Sequence, residues 1–416
     1  MNQYTFLDNL PRPDERRIAL RVTPAAERAI RRGHPWLFDK AILHQSKDGK
    51  PGDLAVVFDR KRRFLAVGLY DPLSPIRVRV LQYGRSAAID SDWFAARFQD
   101  AAKIRQPLAL SSFTNGYRLI NGANDGLPGM VVDRYDQTYV LKLYTIAWIP
   151  HLLDVVPVLL QVTKARQLVL RLSRSVQADH DYCCGLRDGM VLHGTLPEEY
   201  VTFQENGLFF EADVVRGQKT GFFLDQRDNR ARLGQLVEPG QSVLNVFAYT
   251  GGFSLYAARA GASLVISQDI SQFALAGAVR NFKLNRHLSG VVRAEHELML
   301  GDAFVTLKEL ERTHRRFDVV VIDPPAFANS QDQVARALSA YGRLVRRGLR
   351  LLRPEGTFVM CSCSSRVSAD DFFAVVHKAA HTVKRPLQEI ERTGHAIDHP
   401  AAFPEGAYLK ALFAKG

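Results

Sequence analysis

SVLNVFAYTGGFSLYAA, residues 242–258, reads as an apolar strand, a glycine turn and a helix, and the rest of the chain is ordered around it. With no side chain at Gly251 or Gly252, the backbone N–H groups of the turn can approach a ligand closely. The stretch is not G-x-G-x-x-G, and two glycines alone fit a tight strand-helix turn with no ligand equally well. The spacing of acids downstream separates the two readings. Asp269 closes the next strand, LVISQD, about twenty residues after the turn, where a carboxylate takes both hydroxyls of a ribose. Asp302 in GDAF holds the following strand position and Asp323 in IDPP the one after. Each Asp taken alone is an ordinary helix cap or turn residue. The series favours an adenosine-type ligand, and with no phosphate-binding Lys motif the ligand is expected to carry a nucleoside without a triphosphate.

Working outward, strands alternate with helical segments from about residue 198 to the end: SVLNVF, FSLYAARA, LVISQD, QFALAGAVRNFKLN, FDVVVID, ALSAYGRLVRRGLRLL, TFVMCS and DFFAVVHKAAHT. Such alternation predicts an α/β domain over 198–416 with a doubly wound, Rossmann-like sheet, whose ligands sit at the carboxyl ends of the strands. The chemistry is therefore expected in FAYTGG, SQDIS, IDPPAF and CSCSS. Upstream, short alternating runs from Ile18 to about Gln82 predict a small all-β barrel over 16–84. DWFAARFQDAAKIRQ, residues 92–106, is expected to be a helix with Ser91 as N-cap. It opens a central α+β module over 85–197 with the pattern strand, strand, helix, strand, strand. FPEGAYLK near the end reads as a hairpin turn closing the sheet.

A chain of 416 residues with 46% hydrophobic content suggests two or three domains with large cores. No apolar run is expected to reach the roughly 18 residues of a membrane helix, the polar start lacks a secretory core, and the cytoplasm is the default. The four cysteines, Cys183, Cys184, Cys361 and Cys363, form an adjacent pair and a C-x-C. Neither has zinc-ligand or disulfide-framework spacing, so reduced thiols and no metal are expected. A net charge of +12, with arginine clusters crowded into the first 80 residues, points to an acidic polymer such as nucleic acid as partner.

At the level of whole motifs the sequence resembles the class I methyltransferases that use S-adenosylmethionine (SAM). Within them it is similar to the bacterial cytosine-C5 methyltransferases of large-subunit ribosomal RNA that carry an N-terminal PUA domain. The resemblance rests on RRGHPWLF, YRLINGANDGLPGMVVDRY, KTGFFLDQRDNR, VLNVFAYTGGFS, VVVIDPPAF, CSCS and DHPAAFPEGAYLKALF, and leaves out only the first 15 or so residues. It implies that SAM is bound by Phe223, Asp225, Gln226 and Arg227, by the turn Phe247, Tyr249, Thr250 and Gly251 through Gly252, by Asp269 at the ribose, and by Asp302 beside the adenine. The blander alternative for FLDQRDNR is a helix start capped by Asp225. The resemblance also implies that the first domain grips RNA, that the central module orients it, and that the protein is a dimer.

Methyl transfer to cytosine C5 needs a transient bond at C6, because C5 is not itself nucleophilic. A thiolate is the usual nucleophile, since it is partly ionised near neutrality and leaves readily. Cys361 and Cys363 fall on the same face of an extended strand, so alternation does not choose between them; the family's Ser-Cys-Ser favours Cys363 as the catalytic nucleophile. Asp323 is assigned to hold N3 and the exocyclic amine of cytosine, and it also borders the cofactor. DPPAF also resembles the D/N-P-P-Y/F signature of enzymes that methylate base nitrogens, with Phe327 stacking on the base, although such an enzyme has no need for SCS at the next strand end. Many RNA cytosine-C5 methyltransferases carry a second Cys after the motif proline. This chain has DPPAF there, which leaves the base that removes the C5 proton open.

Overall fold

The structure, a computed structural model, describes residues 7–196, 198, 200–328 and 330–416. The opening stretch 1–6, part of the polar start noted above, lies outside the described residues. The chain divides into two compact units, one of Met1–Gln204, Ala212–Leu224 and Ile397–Phe403, the other of Glu205–Glu211, Asp225–Ala396 and Pro404–Gly416.

In the first unit, β1 (Ile18–Val22), β2 (Trp36–Phe38), β3 (Ile42–Gln45), β4 (Leu54–Phe58), β5 (Phe64–Tyr70) and β6 (Ile76–Tyr83) form one sheet of order β2-β6-β5-β4-β1-β3. It is not all-β. A helix, Pro24–Arg31, follows β1, capped by the Thr23 hydroxyl and started by a proline in its first turn, where the missing N–H costs nothing. Its short apolar stripe buries Ile30 against the sheet's core of Ile18, Leu20, Val57 and Val78.

A second sheet of the same unit has order β11-β10-β9-β8-β7, from β7 (Gly116–Asn121), β8 (Met130–Tyr135), β9 (Thr138–Leu143), β10 (Gln167–Leu172) and β11 (Val191–His193). Its first strand, GYRLIN, adds to the expected strand, strand, helix, strand, strand pattern. The helix over Ser91–Ile104 forms as expected, but its N-cap is Asp90, whose Oδ1 accepts from Trp93 N at 3.0 Å. Ser91 is instead the first helical residue and its hydroxyl donates to Asp154 at 3.3 Å. The expectation about apolar runs is also corrected. Ile146–Thr163 is helical over 18 residues with mean hydropathy 1.5, and 61% of it is buried. Trp148, Leu152, Val156 and Leu159 sit at 0% exposure in the core under this sheet, which explains its composition by burial in protein.

After a two-stranded ribbon, β12 (Val201–Glu205) and β13 (Leu208–Ala212), comes the sheet that carries the predicted chemistry. Its strands are β14 (Ser242–Val246), β15 (Leu264–Asp269), β16 (Glu295–Leu300), β17 (Phe317–Ile322), β18 (Leu352–Ser362), β19 (Gln388–Thr393) and β20 (Lys410–Lys415), in the order β16-β15-β14-β17-β18-β20-β19. The first five are parallel, and β20 runs antiparallel to both β18 and β19. β14 is buried through its length and β17 everywhere but at Asp318, because both faces are covered, as a parallel sheet with helices on each side requires. The order reverses between β14 and β17, which opens a crevice at their carboxyl ends. FPEGAYLK is not a hairpin turn: Pro404–Gly406 is a single 3-10 turn, and β19 reaches β20 through the long connection 394–409.

Candidate active site

The glycine turn is built from strained backbone. Phe247 and Tyr249 have φ of 61° and 49° and Gly251 has 77°. For the two aromatic residues this conformation costs on the order of 1–3 kcal/mol each, so the surroundings must enforce it. They do so through the next strand: Ala248 N donates to Gln268 O at 2.8 Å, and Tyr249 N to Asp269 Oδ2 at 2.8 Å. A Cβ on Gly251 would stand 2.8 Å from Ala278 Cβ, and one on Gly252 2.7 Å from Arg230 Cδ. These glycines therefore serve close packing as well as backbone freedom.

Asp269 divides its carboxylate between Tyr249 N and Ser271 N, the latter at 2.9 Å to Oδ1. Each oxygen keeps a second lone pair. Thr250 is buried, its carbonyl accepts from Asn281 Nδ2 at 2.8 Å, and its hydroxyl has no hydrogen-bond partner among the described residues. A buried orphan hydroxyl beside a cradle with no room for side chains fits a polar ligand at this turn. Asp302 is exposed, and its Oδ1 accepts from Phe304 N at 2.9 Å and Val305 N at 3.2 Å as the N-cap of the helix Ala303–Arg312.

The segment FLDQRDNR does not use Asp225 as a cap. The helix Arg227–Leu236 begins after Gln226, which makes no side-chain cap bond. Asp225 Oδ2 accepts from Tyr408 OH at 2.9 Å, Gln226 Oε1 from Asn229 Nδ2 at 2.6 Å, and Arg227 is buried with Nε 3.1 Å from Asp228. Phe223 is half-buried and belongs to the first unit, in the stretch 212–224. One turn into the helix, Arg230 meets Glu205 through two bonds of 2.8 and 2.6 Å, with Tyr256 OH on the same carboxylate at 3.0 Å.

Asp323 follows β17 directly, and its N–H donates to Val246 O at 3.3 Å, which ties it to the end of β14. Desolvation, with the like charge of Asp225 added, pushes its carboxyl up to about 7, against a hydrogen bond from Gln226 and the charge of Arg230. The residue keeps partial solvent contact while protein crowds the carboxylate, so both protonation states are accessible near neutrality.

The two cysteines, indistinguishable by alternation, differ here. Cys361 is inside β18 at 0% exposure, and burial raises its thiol well above the usual range, with Asp323 adding to the effect. Cys363 lies one residue past the strand end, half-exposed, with Sγ 3.9 Å from Pro324 O of the DPPAF segment. Around it stand Tyr341, whose OH meets Ser362 Oγ at 2.9 Å, and the buried Lys410. Phe327 is half-buried and tilted against Tyr341 with ring centroids 5.2 Å apart. Cys183 is buried with Sγ 3.3 Å from Val176 O, and Cys184 is exposed. A polar cleft of about 810 Å³ lined by Asp228, Arg232, Glu391, Arg392 and His395 contains none of the sequence-assigned site residues, so concavity alone does not mark them.

Sequence reasoning missed Tyr408, Lys410, Arg230 and Tyr341. Tyr408 and Lys410 sit in the motif EGAYLK that was read as a turn. Only their proximity to Asp225 and to the Cys363 loop gives them meaning, and no local spacing encodes it.

A mostly parallel sheet with its order reversed between β14 and β17, a strained glycine turn on one side of that reversal and a carboxylate at the next strand end define a Rossmann-like nucleoside-binding domain. The chain belongs to the S-adenosylmethionine-dependent methyltransferase family: the family profile matches residues 130–415, and that of a PUA-like domain matches residues 20–83. It is 47% identical over 402 residues to the "Ribosomal RNA large subunit methyltransferase" of Deinococcus radiodurans, covering 95% of this chain and 97% of that relative. It is 38% identical over 411 residues to the "Ribosomal RNA large subunit methyltransferase I" of Shewanella denitrificans, with 96% and 99% covered. In fold it matches a SAM-dependent methyltransferase from Streptococcus mutans with a TM-score of 0.81 at 24% identity, over 96% of this chain and 100% of that one. A methyltransferase solved with SAH matches equally well. SAM is the cofactor of this family.

Proposed function

We propose that this protein transfers the methyl group of SAM to cytosine C5 in large-subunit ribosomal RNA, with Cys363 as a transient covalent nucleophile. The observation that carries the reading is the contrast between the two thiols. Cys363 is accessible at the open end of β18 beside the DPPAF carbonyl of Pro324, while Cys361 is sealed in the sheet. The RNA assignment draws on the names of the relatives, on the PUA-like domain and on the +12 charge, which suits a phosphate backbone.

In this reading the turn Phe247, Tyr249, Thr250 and Gly251 cradles the cofactor, Asp269 takes the ribose hydroxyls with its remaining lone pairs, and Asp225, Gln226 and Arg227 complete the wall. The bound cofactor supplies an electrophilic methyl group. Cys363 Sγ adds to C6, which makes C5 nucleophilic. Asp323, poised near neutrality, holds the N3 and amine edge of the ring, and Gln226 orients that carboxylate. The competing reading, methylation of a guanine nitrogen, needs Phe327 to stack on the base. The packing of that ring on Tyr341 counts against it.

The test is nucleoside mass spectrometry on ribosomal RNA incubated with methyl-labelled SAM and wild type, Cys363→Ala or Cys361→Ala protein. Labelled 5-methylcytidine should form with wild type and Cys361→Ala and fall by at least about a thousandfold with Cys363→Ala, as for loss of a covalent nucleophile. Labelled methylguanosine, or full activity in Cys363→Ala, would overturn the reading.

A further inference from the structure

Lys410 opens β20 and lies opposite Ser362 in the antiparallel pairing with β18, one residue before Cys363. Its side chain points inward and the residue is only 5% exposed. The ammonium donates to Ser364 O at 2.6 Å and to Val367 O at 2.7 Å, so it clasps both ends of the short loop that follows the cysteine. Among the described residues no carboxylate pairs with it. An ammonium buried against neutral carbonyls alone is expensive, because dipoles replace only part of the lost hydration. Burial accordingly pulls Lys410 down to about 8, and the one influence that acts in the opposite direction is Cys363. A leucine or methionine at this place would cover the same surface without that cost. The position therefore needs an explanation beyond packing.

We infer that Lys410 is the positioning residue of Cys363: its ammonium fixes the 363–367 loop through two carbonyls and stands as the counter-ion of the thiolate. This rests on the reading of Cys363 as nucleophile and extends it. The groups facing that end are Asp323 after β17, Asp225 from the turn before the helix Arg227–Leu236, Tyr341 from the helix Val334–Leu351, Cys361 from β18 and Lys410 from β20. Tyr341, raised to about 12, and Cys361, raised well above its usual range, both stay neutral near pH 7, and Asp323 is half-ionised. Lys410 is the cation in this set. Ionisation of Cys363 sends its proton to solvent. The sulfur electron pair then makes the S–C6 bond and returns to sulfur when that bond breaks and the C5 proton leaves to solvent, so the ammonium faces a thiolate at both ends of the cycle.

The experiment follows the rate at which iodoacetamide alkylates Cys363 in the full-length protein, without RNA, as a function of pH, read by peptide mass spectrometry. Exposed Cys184 in the same chain is the internal reference. In wild type the Cys363 midpoint should lie below that of Cys184. Lys410→Gln should move it up by about one unit and slow alkylation at pH 7 by roughly tenfold, Lys410→Arg should restore most of the rate, and SAM affinity should stay within about twofold throughout. A Cys363 midpoint at or above that of Cys184 in wild type overturns the inference without any variant. So does a Lys410→Gln midpoint that stays put while SAM binding is intact, which would leave Lys410 as a structural clasp. The nucleophile reading fails separately, if Cys363→Ala still makes 5-methylcytidine.

Discussion

The buried charges of the second sheet and those at the strand ends of the third are handled in opposite ways. In and beside the second sheet the arginines are matched: Arg105, which caps the helix Ser91–Ile104, and Arg118 and Arg171 of the strands each meet a carboxylate. Arg105 grips Asp125 through two bonds of 2.8 and 2.7 Å, Arg118 grips Asp133 through two of 2.8 and 3.0 Å, and Arg171 reaches Asp188 at 2.9 Å. At the ends of β17 and β18 the balance is left incomplete: Asp323 stands beside Asp225, another carboxylate, and Lys410 is buried against carbonyls. Matched pairs hold a shape. Mismatched charges store free energy that a ligand or a change of protonation can release, which is the pattern expected where chemistry happens.

The comparison breaks most visibly on the matched side. Arg105→Met leaves the buried Asp125 carboxylate without its cation and with the Asn121 N–H as its remaining donor among the described residues, and also strips the carbonyls of Arg118 and Asp398 of their donor. A loss of about 3–5 kcal/mol in urea unfolding is expected, because removing one partner of a buried pair costs far more than the pair contributes. The double variant Arg105→Met, Asp125→Leu should recover a large part of it. Equal losses in single and double variants would mean that the pair acts through packing alone.

On the mismatched side the sign reverses. Asp323 is raised from 3.8 to about 7, so between those values the folded protein binds the proton more tightly than the unfolded chain. Stability therefore falls as pH rises through that window, and the penalty is complete above pH 7. Asp323→Asn should raise the melting temperature at pH 8, by an amount equivalent to about 2 kcal/mol after allowance for partial exposure, and change little at pH 4. Methyl transfer should fall in the same variant. A stabilisation equal at both pH values would show that the aspartate is not strained by its charge.

The same contrast marks what the sequence could reveal. β14, β15 and β17 were legible because burial on both faces makes Val, Leu and Ile dominate each strand, and the strand-end motifs fell where those short runs stop. β16 was expected before Asp302, but its residues, EHELML, carry no strand signal of their own, because it lies at the open edge of the sheet, with exposed or half-exposed residues throughout, and so needs no apolar alternation. GYRLIN was missed because its arginine, aimed at Asp133, interrupts the pattern. The helix Pro24–Arg31 buries one side chain fully and left almost no periodic signal. Of the candidate site, the turn and the cysteines could be found locally. Tyr408 on Asp225 and Lys410 under the Cys363 loop join positions far apart in the chain, and nothing in a single sequence records such contacts.

Asp302 gives the smallest expected effect and the sharpest discrimination between structure and ligand. Its Oδ1 already accepts two backbone N–H groups as a helix cap, yet the family resemblance puts it beside the adenine. Asparagine caps helices as well as aspartate, and alanine does not. Asp302→Ala should therefore cost about 1 kcal/mol of stability, and Asp302→Asn a few tenths at most. If the carboxylate also receives a hydrogen bond from the adenine amine, Asp302→Asn should still weaken SAM binding, by about 1 kcal/mol in calorimetry, because half of its amide end is a donor where an acceptor is needed. If the residue is a cap and nothing more, SAM affinity in Asp302→Asn will match wild type, and the adenine must be recognised by apolar contact and backbone along the turn and β16.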